Sequence, residues 1–179
     1  MNRRLLLLLF LACVLVLNPG CDRRGLNAKD RSEFSPISKG ISRASSLLLY
    51  EGLPHQFWEA DQFKKELAAK KTLLFHEFSF YERPLSVTPV DVETLRRLSA
   101  AANSFSSCRG AKACGGYHPD YCLIWKDGAT TYELFICFGC HEMELYGPQQ
   151  DFLADIRPDA FTQFETTLKK YRDQRPQSK

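Results

Sequence analysis

From Leu47 onward, apolar and polar positions fall into short periodic blocks. Leu47-Leu48-Leu49-Tyr50 is an apolar run closed by Gly52 and Pro54, which predicts a strand. Phe57, Ala60, Phe63 and Leu67 recur at three- and four-residue spacing, so a helix is expected over 56–70 with these side chains inward. Residues 72–80 are aromatic and apolar without helical punctuation, the pattern of a buried strand. Thr88-Pro89-Val90-Asp91 then combines a capping hydroxyl, proline in the first turn and an acid three residues on. The stripe Leu95, Leu98, Ala102 and Phe105 extends that helix. A last helix opens at Pro158-Asp159 and buries Phe161, Phe164, Leu168 and Tyr171.

Between the last two helices, Tyr121 to Trp125 and Thr130 to Phe138 flank Asp127-Gly128, a dipeptide suited to the positive φ angles of a type I′ turn. A β-hairpin is expected at about 121–138, with Glu142 to Tyr146 continuing its second strand or forming a third. The order predicts an α+β domain with a mostly antiparallel sheet and three helices packed on it.

The first residues follow a different pattern. Arg3 and Arg4 precede thirteen apolar residues, Leu5 to Leu17, and a break at Asn18-Pro19-Gly20. About 20 apolar residues are needed to cross a bilayer as a helix, so this run is short for a span and suits a signal peptide over 1–20. Cys21 follows directly, where a bacterial lipobox places its acylated cysteine, although Asn18 stands where that motif prefers Leu. The expectation is an exported protein of the bacterial cell envelope, held to a membrane through lipid on Cys21. Residues 21–45 are rich in Ser, Arg, Lys and Gly and read as the lipidated Cys with a flexible linker. The remainder reads as one domain over 46–172 and a disordered polar tail over 173–179.

Charge narrows the partners. The 179-residue chain carries 24 basic and 21 acidic side chains, and removing residues 1–20 takes two of the basic ones. A nearly neutral chain lacks the basic footprint of nucleic-acid binding. There is no Gly-rich phosphate loop, no Gly-x-Ser-x-Gly elbow and no His-Glu-x-x-His helix, and no reaction follows from the residues present.

Cysteine supplies the strongest chemical signal. Of seven, five (Cys108, Cys114, Cys122, Cys137 and Cys140) fall within 33 residues around the hairpin. With Asp127-Gly128 as a two-residue turn, Cys137 faces His118, and His141 faces Cys114 if pairing continues. Cys114, His118, Cys137, Cys140 and His141 then gather at one hairpin end, with Asp120 placed to orient His118. Gly139 would permit a bulge that turns Cys137 and Cys140 to the same side.

Tyr50-Glu51-Gly52-Leu53-Pro54-His55, Cys114-Gly115-Gly116-Tyr117-His118-Pro119-Asp120-Tyr121 and Ile136-Cys137-Phe138-Gly139-Cys140-His141-Glu142 resemble motifs of a family of uncharacterised bacterial exported proteins. The resemblance implies that the cluster is one unit and names no chemistry. Four chemistries suit it. Zinc would take Cys137, Cys140 and Cys114 with His118 or His141. Structural disulfides suit an exported domain, with Cys108–Cys114 a plausible local bridge and Cys122 a buried free thiol. Cys137-x-x-Cys140-His141 matches a c-type haem attachment site. Cys-x-x-Cys is also the redox-active dithiol motif, here without the flanking Trp and Pro of thioredoxins.

Overall fold

The computed structural model describes residues 25–108, 110 and 112–176. The expected signal peptide over 1–20 and the lipidation candidate Cys21 lie outside the described residues. The elements are α1 (Ala28–Arg43), β1 (Ser46–Glu51), α2 (Ala60–Ala69), β2 (Thr72–Phe75), β3 (Phe78–Tyr81), α3 (Pro89–Ala100), β4 (Phe105–Ser107), β5 (Tyr121–Asp127), β6 (Thr130–Cys137), β7 (Glu142–Tyr146), β8 (Asp151–Ile156) and α4 (Pro158–Leu168). Six strands form one antiparallel sheet in the order β1-β5-β6-β7-β8-β4, and β2 pairs with β3 in a separate hairpin. The fold is α+β, as the sequence pattern predicts.

Both faces of the sheet centre are covered, which is why β5 reads as a continuous apolar run. Leu123 and Trp125 join Leu134, Ile136 and Met143 in the larger core with α1, α3 and α4. Cys122, Ile124 and Phe135 point the other way, against Tyr50 and Phe80.

The segment expected as a flexible linker is largely a helix. Asn27 caps α1 by accepting from the Asp30 amide at 2.9 Å, and Phe34, Ile37 and Ile41 fill the core at a helical period. Each such side chain contributes about 1.5–3 kcal/mol on burial. Gly40 lets the helix touch Tyr132, since a Cβ there would lie 2.0 Å from the ring. The low apolar content of 28–43 hides a stripe of only three large residues.

The tail is corrected too. The amides of Asp173, Gln174 and Arg175 all donate to the carboxylate of Glu51, which is 1% exposed. A polar segment is held here by satisfying the oxygens of a buried carboxyl group rather than by apolar contact. Residues 177–179 lie outside the described residues.

Other differences are local. Residues 72–80 are two strands reversed at His76, whose φ is 51°. Phe57 and Leu67 are exposed, and the buried member of α2 is Glu66, which accepts from the Tyr81 hydroxyl at 3.1 Å. The Thr88 cap and Pro89 start of α3 are as expected, but the helix stops at Ala100 and Phe105 opens β4.

Candidate functional site at the cysteine end of the sheet

The β5–β6 hairpin sets the position of the sulfur cluster. Its turn occupies Gly128-Ala129, because Asp127 pairs with Thr130 and Tyr121 with Ile136. The expected register is therefore displaced by two residues along the partner strand. A two-residue shift keeps every side chain on its face but moves its neighbour, so Cys137 comes opposite Asp120 rather than His118.

Cys137 ends β6 and pairs with Glu142, so residues 138–141 form a tight reversal into β7. That reversal replaces the expected bulge. The Cys140 amide donates to Cys137 Sγ at 3.1 Å, and the Phe138 amide donates to Asp120 Oδ2 at 2.8 Å. Arg175 holds the other oxygen of Asp120 at 2.9 Å and also pairs with Glu59. Asp120 thus clamps the Cys-x-x-Cys turn instead of orienting an imidazole.

Cys114 and Cys140 form a disulfide, with Cα atoms 5.6 Å apart. The expected gathering of position 114 with 137 and 140 is met, and the partner of Cys114 is Cys140 rather than Cys108. Gly115 has φ +78°, and a Cβ there would lie 2.6 Å from Trp58 Nε1. That close approach lets Trp58 donate to the Cys114 carbonyl at 2.8 Å.

The remaining candidates have other partners. His118 Nε2 meets the Leu53 carbonyl at 2.8 Å, and its ring lies 4.6 Å from that of His55. Burial, the largest influence, holds the His118 imidazole below its ordinary range, with Asp120 partly opposing. His141 stacks on Phe161 with centroids 4.0 Å apart. Cys137 is a free thiol, 2% exposed. Burial pushes its pKa up to about 11 even though the His118 and Cys140 amides favour the thiolate. Cys122 is a buried free thiol, as the sequence suggests.

This geometry fits neither haem attachment nor dithiol exchange. Thioether bonds would require both sulfurs of the motif, and Cys140 has spent its own on Cys114. An attacking dithiol needs an accessible thiolate, whereas Cys137 is enclosed and protonated at neutral pH. The five-residue zinc set likewise loses two donors to the disulfide, and among the described residues its other three donors, Cys137, His118 and His141, do not converge as a ligand group.

A second cluster lies beside it. The ligand atoms of Cys108, Glu142 and Asp155 lie within 4.8 Å of one another, a spacing one metal ion could bridge. Lys112 Nζ already occupies this ground, 2.5 Å from Asp155 Oδ1, 3.2 Å from Glu142 Oε1 and 2.8 Å from the Cys140 carbonyl. Burial would lower the Lys112 pKa, but the two carboxylates outweigh it and raise it. Burial and a hydrogen bond to Glu142 push the Cys108 thiol up to about 11. Sequence reasoning missed this group because Asp155 lies on a strand with no sequence signal strong enough to place it.

Among the described residues no helix is long and apolar enough to cross a membrane. No protein family, curated protein or solved structure matches this chain.

Proposed function

We propose that this chain is an exported bacterial-envelope protein, anchored by lipid on Cys21, whose domain serves as a disulfide-stabilised binding module. The observation that carries the reading is the Cys114–Cys140 disulfide, with the remaining described cysteines held as protonated thiols. Disulfides persist in oxidising compartments, which agrees with the basic, apolar start of the chain. The disulfide's role is to fix the 114–118 loop onto the β6–β7 turn and so present a fixed surface.

Cell fractionation with thiol labelling tests both halves. The native protein should sediment with membranes, the Cys21→Ser variant should be released, and Cys114 and Cys140 should resist alkylation until reduced. Alkylation of both without reductant would reject the disulfide account.

The spacing of Cys108, Glu142 and Asp155 favours a second reading, in which the domain holds zinc. Thiolate and carboxylate are suitable zinc donors. The ion would have to displace Lys112 and the Cys108 proton, so affinity should rise steeply with pH. Titration calorimetry with zinc should then show about one site per chain, lost in Cys108→Ser. No heat at either pH 7 or pH 8.5 would remove this reading.

A further inference from the structure

The helix α1 changes the meaning of an anchor at Cys21. If residues 21–45 were all linker, the domain would float well away from the bilayer. The described fold begins at Gly25, and only four peptide steps separate it from Cys21. At about 3.3–3.6 Å per residue, that distance cannot exceed roughly 14 Å.

Gly25 lies at a particular end of the sheet. A Cβ built on it would be 3.7 Å from the Phe105 carbonyl, and Phe105 pairs with Ile156. The Ile156 amide donates to the His141 carbonyl at 2.8 Å, in the turn that carries Cys140. Cys140 is bonded to Cys114, whose carbonyl receives the Trp58 indole. The chain entry and the disulfide turn therefore share one end, and Trp58 is attached to it.

That end carries an uncovered aromatic pair. Phe57 and Trp58 are each 63% exposed and meet edge to face at 4.6 Å. Among the described residues the other large exposed apolar side chains (Leu67, Leu74, Val90 and Leu153) are aliphatic. Trp and Phe rings favour the headgroup boundary of a bilayer. Arg23 and Arg24, directly after Cys21, supply charge for anionic headgroups.

We infer that the domain docks flush against the membrane surface, with Phe57 and Trp58 entering the headgroup region of the bilayer that holds the Cys21 lipid. The inference rests on the acylation reading above. A protein partner on this surface would have to enter a gap that the tether of four peptide steps barely leaves.

The test uses the full acylated chain in vesicles of phosphatidylethanolamine and phosphatidylglycerol with brominated acyl chains. Trp125 is fully buried, so Trp58 is the indole that contact quenchers can reach. Expected is a loss of emission relative to unbrominated vesicles, absent in Trp58→Phe, whose near-ultraviolet dichroism from Trp125 verifies folding. A Gly/Ser spacer of about 20 residues inserted before Gly25 should weaken the quenching without releasing the protein. Vesicle-bound protein with unchanged emission would overturn docking while leaving the anchor intact. Quenching undiminished by the spacer would overturn the tether argument. Cys21→Ser protein that stays in the cell membrane fraction would overturn the acylation reading itself.

Discussion

Two sulfur-bearing corners lie in the loops at one end of the same sheet and reach opposite chemical ends. Cys137 pairs in register with Glu142, and Glu142 with Asp155, so the corners share one row of the ladder. In the first, Cys114 and Cys140 close a covalent bridge. In the second, Cys108 is a protonated thiol donating to Glu142 at 3.4 Å beside the Lys112 ammonium. The difference comes from what stands opposite each sulfur. The Gly115-Gly116 loop, with positive φ at both glycines, brings a second cysteine to Cys140, whereas burial first, and then the Glu142 and Asp155 carboxylates of β7 and β8, favour the neutral form of Cys108. Lys112 touches both corners, through the Cys140 carbonyl and both carboxylates. The sulfurs differ in chemistry because of their neighbours, not their spacing in sequence.

The largest test removes the bridge. Replacing Cys114 and Cys140 together by Ser frees a loop with sequence separation 26, and the unfolding free energy should fall by about 3 kcal/mol. Denaturant titration reads this directly, and reductant should reproduce it in the unaltered protein. A fall below about 1 kcal/mol would mean that the Asp120–Phe138 and Arg175 contacts hold the turn unaided.

Lys112→Met should come next. It leaves the buried Glu142 and the partly buried Asp155 without their cation, at a cost of about 1–2 kcal/mol. If zinc competes with Lys112 for the cluster, the same variant should bind it at least about tenfold more tightly by calorimetry. Unchanged stability would make the second corner a surface feature.

A smaller effect follows from His118. Burial lowers its pKa, so the unfolded chain binds the proton more tightly than the folded one. Its contribution to stability is complete above the ordinary imidazole value near 6.5 and declines as pH falls below it. Urea midpoints at pH 7.5 and 5.5 should differ more in the native protein than in His118→Gln. The smallest effect concerns labelling rates. Half-buried Cys108 should react slowly in the folded protein, and Cys122 and Cys137 should react only on unfolding.

Some of the fold is legible residue by residue. Thr88-Pro89 starts α3 because a cap and a proline act within one turn. The β5–β6 hairpin is visible because its apolar residues are consecutive and its turn is local. Its register was misplaced by two residues because Asp127-Gly128 and Gly128-Ala129 both support a reversal. The α1 stripe of Phe34, Ile37 and Ile41, with Asn27 as cap, was also readable, but its polar majority resembles a linker. Exposed Phe57 and buried Glu66 reverse the usual expectation because Glu66 has the buried Tyr81 hydroxyl as partner, whereas Phe57 meets the equally exposed ring of Trp58.

Sequence by itself determined the α+β class, the grouping of Cys114 with Cys137 and Cys140, and Cys122 as a buried free thiol. These depend on periodicity and on one local reversal, which act over a few residues. Tertiary structure alone decided which cysteine Cys114 meets, that Lys112 stands among Cys108, Glu142 and Asp155, and that residues 173–175 close over Glu51. Each of those depends on groups brought from distant strands, where a displacement of a single pairing step exchanges one partner for another.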